Sequence, residues 1–299
     1  MTGGLLLAAT AASLHSIFGP YPIQLTSYND SSLDPTAQRI DVLTPLGSPG
    51  ERFPFIVYAH GFDNRGEIDY TRLGQDLASW GFVVAFPKSC HLGCKADCKT
   101  LPFDPPCFAN YYKQQLRVIE WSRFPEIRAV LPVDERLPVG VAGHSMGGQA
   151  TAFSAAFNAS SHQIGAAVMH HPFTHQYPPI GIPFLAFTGT RDETAPPRFS
   201  ESLFDAPGAC DTRALANKRG ANHHEPSHTY NPALTRYTAA WFKLFLLPSQ
   251  GRPGSEGAVP GADFEALVFG HGPDSLCFGG DGPMERCEVR RGLPVTTAE

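Results

Sequence analysis

The sequence predicts an α/β fold with a mostly parallel central sheet and helices on both faces. Short unbroken apolar runs alternate along the chain with segments whose apolar residues recur at helical spacing, a pattern typical of strand–helix–strand units. The apolar runs lack the alternation of a half-exposed strand, which indicates strands buried on both faces. The 299 residues are 42% hydrophobic and 17% charged. This composition can fill a core and excludes intrinsic disorder.

Six strands and four helices follow from these patterns. The predicted strands are residues 55–59, 82–86, 139–142, 164–169, 184–187 and, as a weaker last strand, 213–217. The predicted helices are residues 69–79, 111–122, 146–157 and 235–247, the last of which ends before a proline. No internal repeat is present, so we expect one domain.

Two regions interrupt the alternation. Residues 88–108 are rich in cysteine and proline and predict an insertion, whereas residues 249–261 have the proline, glycine and serine content of a linker. We therefore expect one main domain over residues 19–248, which includes the insertion, followed by a linker and a disulfide-stapled C-terminal tail over residues 249–299. Residues 1–18 are small and apolar but lack a basic start, and predict either a flexible N-terminus or the remnant of a signal peptide.

The seven cysteines favour disulfides over a zinc site. Four lie in the insertion and two flank a glycine-rich turn in the tail: Cys90, Cys94, Cys98, Cys107, Cys277 and Cys287. No Cys-x-x-Cys pair occurs, so the usual spacing of zinc ligands is missing, although a zinc site stays an alternative. Disulfides imply secretion or another oxidising compartment. The odd count leaves one thiol unpaired, which we expect to be Cys210.

Composition also limits the partners. The net charge is −5, and no cluster of basic residues is long enough to follow a phosphate backbone, so we expect no binding to nucleic acid. No apolar run approaches the roughly 18 residues of a membrane span. No group of histidines and carboxylates has ligand spacing, and no Gly-x-Gly-x-x-Gly sequence follows a strand. We therefore expect no metal and no organic cofactor. We also expect the protein to be a monomer.

The sequence Gly143-His144-Ser145-Met146-Gly147 predicts a nucleophilic serine. It has the form Gly-x-Ser-x-Gly and lies directly between a predicted strand and a predicted helix. The glycines permit the sharp turn that lifts the serine hydroxyl clear of the sheet. The N-terminus of the following helix favours negative charge that develops there. This context favours a nucleophile over a purely structural turn.

A serine nucleophile needs a histidine base that is oriented by a carboxylate. After a turn of this kind, the acid and then the histidine are expected later in the chain. Asp192 follows a predicted strand at the edge where active-site loops gather, and Glu193 is the alternative acid. His223 and His224 both follow the last predicted strand, and their order in the chain does not distinguish them.

Other groups are expected around the serine. The main-chain N–H groups of Phe62, in the loop after the first predicted strand, and of Met146 are the expected donors to an oxyanion. His144 adjoins the expected nucleophile, and His171 comes shortly after a predicted strand. We assign both histidines to substrate binding, with a packing or orienting role as the alternative for His144.

With these residues assembled, the chain resembles the α/β-hydrolase superfamily. Within it, the chain is similar to the branch of chlorophyllases, cutinase-like polyester hydrolases and dienelactone-hydrolase-like esterases. The resemblance covers about residues 19–247. It rests on His-Gly-Phe at 60–62, Leu-Ala-Ser-Trp-Gly-Phe-Val-Val at 77–84, Gly-His-Ser-Met-Gly-Gly at 143–148, Thr-Arg-Asp-Glu-Thr-Ala-Pro at 190–196, and Gly-Ala-Asn-His-x-x-Pro at 220–226.

This resemblance implies Ser145 as the nucleophile, Asp192 as the acid and His223, rather than His224, as the base. The choice follows bacterial polyester hydrolases, in which the base is the histidine of a Gly-[Ala/Gly]-Ser-His sequence. The resemblance also implies the donors Phe62 and Met146. Phe173 takes the place of a substrate-stacking aromatic residue, with a core phenylalanine as the alternative. A C-terminal disulfide common in the group implies a bond between Cys277 and Cys287.

Two departures separate the chain from its relatives. Chlorophyllases usually carry arginine where this chain has Met146. Bacterial polyester hydrolases lack the insertion at 88–108, which would lie near the active-site edge and narrow it as a lid.

Together these inferences favour a serine carboxylic-ester hydrolase that works through an acyl-enzyme. Its expected substrates are apolar or aromatic esters, small or polymeric, including polyesters and the phytyl ester of chlorophyll. One alternative is a non-catalytic hydrolase-like protein that binds a partner. Another is a peptidase or an acyltransferase on the same scaffold, because the shape of the pocket selects the leaving group and the acceptor.

Overall fold

The computed structural model describes residues 18–30, 38–62, 69–88, 105–247 and 263–292. Its strands are β1 (Ile23–Asn29), β2 (Arg39–Pro45), β3 (Phe55–Ala59), β4 (Val83–Pro87), β5 (Val139–His144), β6 (Ile164–His170), β7 (Phe184–Gly189), β8 (Arg213–Lys218) and β9 (Met284–Arg290). Its helices are α1 (Thr71–Ser79), α2 (Pro105–Trp121), α3 (Pro125–Arg128), α4 (Met146–Phe157), α5 (Ala159–His162), α6 (Arg198–Phe204), α7 (Pro232–Leu246) and α8 (Phe264–Phe269).

The nine strands form one sheet in the order β1-β2-β4-β3-β5-β6-β7-β8-β9. The six strands from β4 to β8 are parallel to one another, and they are the six that the sequence predicts. Strands β1, β2 and β9 pair antiparallel at the two edges. The predicted fold class is therefore confirmed. Because the six central strands run in one direction, the loops after them meet at one edge of the sheet.

Both faces of the sheet are covered by helices. Along β3, Ile56 and Tyr58 join a buried apolar cluster with α1, α7 and α8. Phe55 and Val57 alternate with them and join a second cluster with α2, α4 and α6. Every residue of β3, β4, β5 and β7 is buried, as expected of unbroken apolar strands between two layers of helices.

The C-terminal tail differs from the sequence-based expectation. Strand β8 is not the last strand of the sheet, because the tail returns as α8 and then as β9, which pairs with β8. A disulfide joins Cys277 to Cys287 with a Cα–Cα distance of 5.4 Å, as the resemblance implies. Arg286 of β9 also pairs with Asp205 at 2.9 Å. The polar sequence of β9 suits an edge strand and hides it from a search for apolar runs.

The apolar runs also do not predict the two N-terminal strands, β1 at the edge of the sheet and β2 next to it. Helix α2 begins at Pro105, within the expected insertion, whereas helical spacing in the sequence begins at residue 111. Cys210 is a free thiol among the described residues. Residues 1–17, most of the insertion and the linker lie outside the described residues, as does the pairing of Cys90, Cys94, Cys98 and Cys107. The division of the chain at residues 18 and 248 stays a prediction.

No helix in the described part of the chain is long and apolar enough to cross a membrane.

Candidate active site

Ser145 occupies a strained turn between β5 and α4. Its backbone has φ 56° and ψ −121°, a conformation that costs a non-glycine residue on the order of 1–3 kcal/mol. The flanking glycines are needed for close packing: a Cβ on Gly143 would lie 2.2 Å from the main-chain oxygen of Gly147, and one on Gly147 would lie 2.0 Å from that of Ala59. The Gly-x-Ser-x-Gly sequence thus holds the serine at the edge where the strands end.

Three predicted residues meet at this edge in one hydrogen-bonded chain. The Oγ of Ser145 lies 2.9 Å from Nε2 of His223. The Nδ1 of His223 lies 2.8 Å from Oδ2 of Asp192. With Nδ1–H donating to the carboxylate, Nε2 is left to accept the serine proton. The loops after β5, β7 and β8 supply the three side chains. Exposed His224 and Glu193 are not part of this chain of bonds.

The carboxylate of Asp192 is buried and fully bonded. Its Oδ1 accepts the main-chain N–H of Ala195 at 2.7 Å, and its Oδ2 lies 2.8 Å from Nδ1 of both His223 and His171. Burial alone would raise the pKa of Asp192. The hydrogen bonds from the two histidines outweigh burial and lower this pKa to about 2. Asp192 is therefore an anion over the whole pH range in which the fold is expected to persist.

His171, which the sequence assigns to substrate binding, lies in the interior of the site. Its side chain has no exposed surface, and its ring lies behind the triad, bonded to Asp192. The residue follows β6 with φ 47°, a left-handed conformation that directs the side chain inward. Nothing in the sequence around residue 171 indicates that this histidine would reach the carboxylate of Asp192. The two residues lie on different loops, His171 after β6 and Asp192 after β7.

His144 also lies in the interior, where its bonds fit the alternative of a packing or orienting residue. The residue is 2% exposed, and both ring nitrogens bond to protein atoms. Nε2 donates to the main-chain oxygen of His223 at 2.7 Å, and Nδ1 accepts from the hydroxyl of Tyr70 at 2.7 Å. Burial, together with the nearby His223, holds the pKa of His144 well below its usual value. His144 is a neutral residue that connects loops.

The predicted oxyanion donors belong to the start of α4 and to the loop after β3. Met146 is the first residue of α4, where a main-chain N–H has no acceptor within the helix. Phe62 follows Gly61, whose N–H donates to the Tyr70 hydroxyl at 3.0 Å. This bond fixes the loop after β3 next to His144. Their role as a pair of donors stays a prediction.

Phe173 contributes an apolar wall beside the serine. It packs against a small buried cluster of Ala59, Met146 and Ala150, and its main-chain N–H donates to the oxygen of Ser145 at 2.9 Å. Its ring makes an edge contact with Phe199 at 5.8 Å. Because Phe173 is only partly buried, both a substrate-stacking role and a core role stay open.

Within the described residues, one group has the geometry of metal ligands: His171, Asp192 and His223. The Nδ1 atoms of both histidines already lie at hydrogen-bond distance from the carboxylate. A metal bound there would have to replace those two hydrogen bonds.

The chain matches the family model described as PETase, PET hydrolase-like, over residues 8–249. No curated protein matches the chain. The matched range contains every residue described at this site and ends before α8 and β9.

Proposed function

Because the chain belongs to the PET hydrolase-like family, we propose that it hydrolyses carboxylic esters through an acyl-enzyme on Ser145. The observation that carries this proposal is the continuous chain of short hydrogen bonds from Ser145 through His223 to Asp192. The strained strand-to-helix turn under the serine supports it, since this turn is typical of a nucleophile in an α/β-hydrolase.

In the proposed reaction, Oγ of Ser145 attacks the ester carbonyl carbon while Nε2 of His223 accepts the serine proton. The resulting oxyanion accepts hydrogen bonds from the N–H groups of Phe62 and Met146. The carbon–oxygen bond to the alcohol then breaks, and His223 gives its proton to the leaving oxygen. Water attacks the acyl-enzyme with His223 again as base, which releases the acid and restores the serine.

Asp192 acts in both steps without changing its own charge. Its low pKa keeps it ionised, so it stabilises the positive charge that forms on His223 during each proton transfer. Its bond to Nδ1 also fixes the tautomer that leaves Nε2 free to act as base.

The side chains near the serine support apolar or aromatic esters as substrates. Phe62 is 41% exposed, and the partly buried Phe173 packs on the cluster that contains Met146. An ester with an apolar acyl group or an aromatic ring can bury surface against these side chains. The PET hydrolases for which the family is named suggest polyesters, and the phytyl ester of chlorophyll is the other substrate to test.

The first experiment is hydrolysis of p-nitrophenyl esters from acetate to palmitate by wild type, Ser145→Ala and His224→Asn. We expect turnover to fall by about 10³-fold or more in Ser145→Ala and to persist in His224→Asn, since His224 is exposed and outside the bonded chain. Wild-type rates in folded Ser145→Ala, or loss of activity in His224→Asn alone, would contradict the assignment.

Substrate class is tested with a pair of phenylalanine variants. Phe173→Ala should raise KM for soluble aromatic diesters and slow the release of acid from a polyester film. Phe157→Ala is the matched control, because Phe157 lies at the far end of α4 and is 64% exposed. Equal effects of the two substitutions would remove Phe173 from the substrate site. Release of chlorophyllide from chlorophyll is assayed in parallel, and turnover of an amide analogue would favour the peptidase alternative.

We also propose that the chain works in an oxidising compartment, outside the cell or in an equivalent space. The disulfide between Cys277 and Cys287 supports this location. Alkylation of the natively produced protein under non-reducing conditions tests it: Cys210 should be modified, and Cys277 and Cys287 should not. Labelling of all three thiols in the native source would contradict the proposal.

A further inference from the structure

His171 is the least expected part of the site. It is fully buried, and it bonds through Nδ1 to the same oxygen of Asp192 that His223 uses. Its other nitrogen, Nε2, lies 3.7 Å from Oε2 of Glu225 and makes no hydrogen bond within the described residues. The ring is thus held between two carboxylates.

This arrangement determines the charge of the ring. To donate to Asp192, a neutral His171 must carry its proton on Nδ1, which turns the lone pair of Nε2 toward the carboxylate of Glu225. Two electron-rich atoms would then face each other in a buried site, at a cost in electrostatic energy. A proton on Nε2 removes this repulsion and converts it into attraction. The geometry therefore favours the imidazolium.

The pKa shifts of His171 and of Glu225 agree with a positively charged His171 ring. Burial alone would lower the pKa of His171, but Asp192 and Glu225 outweigh burial and raise it. Burial alone would raise the pKa of Glu225, but His171 and then Lys218 outweigh burial and lower it.

We propose that His171 is a positively charged positioning residue, which holds the Asp192 carboxylate beside His223 and keeps His223 available as an uncharged base. The inference rests on the proposed function, since it concerns the base of the same reaction. Asp192 attracts a proton to His223, and the charge of His171 opposes that attraction.

All charged and titratable neighbours enter this balance. Asp192 and Glu225 face the ring directly, and Lys218 and Asp281 extend the network behind Glu225. The other histidines nearby are His144, His170, His223 and His224. Burial is the main factor that lowers the pKa of the fully buried His144 and His170, so these two rings do not share the charge of His171.

The size of the effect on His223 follows from distance. The ring centres of His171 and His223 are 6.1 Å apart. Two unit charges at about 6 Å shift a titration by roughly 0.5 to 2 pH units for effective dielectric constants from about 80 to about 20. Loss of the positive charge on His171 should make His223 easier to protonate. The acid limb of kcat/KM should then move to higher pH by that amount.

The test is the pH profile of kcat/KM for wild type, His171→Asn and His162→Asn. Asparagine keeps a donor for Asp192 and adopts a positive φ, so His171→Asn removes the charge with little change of backbone. We expect its acid limb to move upward by about 0.5 to 2 pH units, a shift that is read from the shape of the profile at any plateau height. His162 lies 3.4 Å from Glu120 at the opposite end of β6, and His162→Asn should leave the limb unchanged.

An unchanged or lowered acid limb in folded His171→Asn would overturn the proposal. A second measurement needs no active variant: nuclear magnetic resonance of ¹⁵N-labelled histidines in the wild type at pH 7. We expect both ring nitrogens of His171 to be protonated, and a neutral ring would overturn the proposal. The signal is assigned by its absence in His171→Asn, or in His171→Gln if the asparagine variant does not fold.

The two proposals fail in different ways. No ester turnover by folded wild type contradicts the proposed function, and the resonance measurement then still decides the charge of His171. Normal turnover with a neutral His171 contradicts only the present inference.

Discussion

The ring of His144 donates from Nε2 to the main-chain oxygen of His223 over 2.7 Å. This bond joins the residue before the proposed nucleophile, Ser145, to the proposed base. It also fixes the rest of the network, because Nδ1 of the neutral His144 must then accept from the Tyr70 hydroxyl, and the Tyr70 oxygen accepts the N–H of Gly61. One buried series of hydrogen-bonded polar atoms thus connects the turn at Ser145, the loop of His223 and the loop after β3.

Tyr70→Phe tests this connection. The substitution leaves a buried N–H and a buried ring nitrogen without partners, so we expect a loss of about 1–3 kcal/mol in the free energy of unfolding together with a clear fall in kcat. Denaturant unfolding and ester turnover measure the two effects. Tyr58→Phe is the control, since the hydroxyl of Tyr58 bonds Nδ1 of His170 and not a group of the loop after β3. Equal losses of turnover in both variants would contradict the connection.

Gly147→Ala tests the packing under the nucleophile. The new Cβ would lie 2.0 Å from the oxygen of Ala59 and 2.6 Å from that of His60, so α4 and the loop after β3 must move apart. We expect at least about 1–3 kcal/mol of destabilisation and loss of turnover, because both oxyanion donors would shift. Gly181→Ala, which has open space around it, should behave as wild type. Full activity of Gly147→Ala would rule out the close contact.

Asp192→Asn tests the acid. An amide offers one acceptor oxygen to the three donors that the carboxylate satisfies, so His223 can lose its productive tautomer. We expect turnover to fall by roughly 10³–10⁴-fold. The matched control is Glu193→Gln, which changes the exposed neighbouring carboxylate and should leave turnover within about twofold. A larger loss in Glu193→Gln than in Asp192→Asn would reverse the assignment.

Asp76 gives the fold a predictable dependence on pH. This carboxyl group of α1 accepts a hydrogen bond from Tyr230, and burial raises its pKa to about 7 although Arg72 partly opposes the shift. The folded protein therefore binds this proton more tightly than the unfolded chain, and stability contributed by Asp76 falls as pH rises from about 4 to about 7.

We accordingly compare the free energy of unfolding of Asp76→Asn with that of wild type at pH 5 and at pH 8. The difference should move in favour of Asp76→Asn by about 1–2 kcal/mol from the lower to the higher pH, with allowance for partial solvent screening. Urea unfolding at the two pH values measures this difference. Asp211→Asn, which replaces an exposed carboxylate, should show the wild-type dependence. A gap between Asp76→Asn and wild type that does not change with pH would contradict the raised pKa.

The sequence predicts the central sheet because its strands are buried on both faces and so consist of unbroken apolar residues. Strands β1 and β9 escape this criterion. β1 is largely exposed, and β9 is held by the Cys277–Cys287 bond and by ion pairs of Arg286. Neither an exposed strand nor a strand held by a disulfide and ion pairs produces an unbroken run of apolar residues in the sequence. Edge strands whose pairing depends on distant partners cannot be found from local composition.

The same limit applies to the site. Ser145, Asp192 and His223, which the structure brings together, can be found from the sequence because the proposed chemistry demands their residue types in a fixed order after strands. Tyr70, His171 and Glu225 belong to no such motif, and they reach the site only through the order in which the strands pack. His144 and His171 were expected at the substrate surface because they adjoin strand ends, but the turns after β5 and β6 direct both rings inward.

Active-site labelling tests the central claim, a covalent intermediate on Ser145, most directly. The protein is incubated with a p-nitrophenyl alkylphosphonate, which a nucleophilic serine attacks with release of p-nitrophenol and formation of a stable adduct. We predict about one p-nitrophenol released per chain, a parallel loss of ester turnover, an adduct mapped to Ser145, and no adduct in Ser145→Ala. Full turnover after complete labelling, or an adduct on another residue that accounts for the lost activity, would contradict the claim.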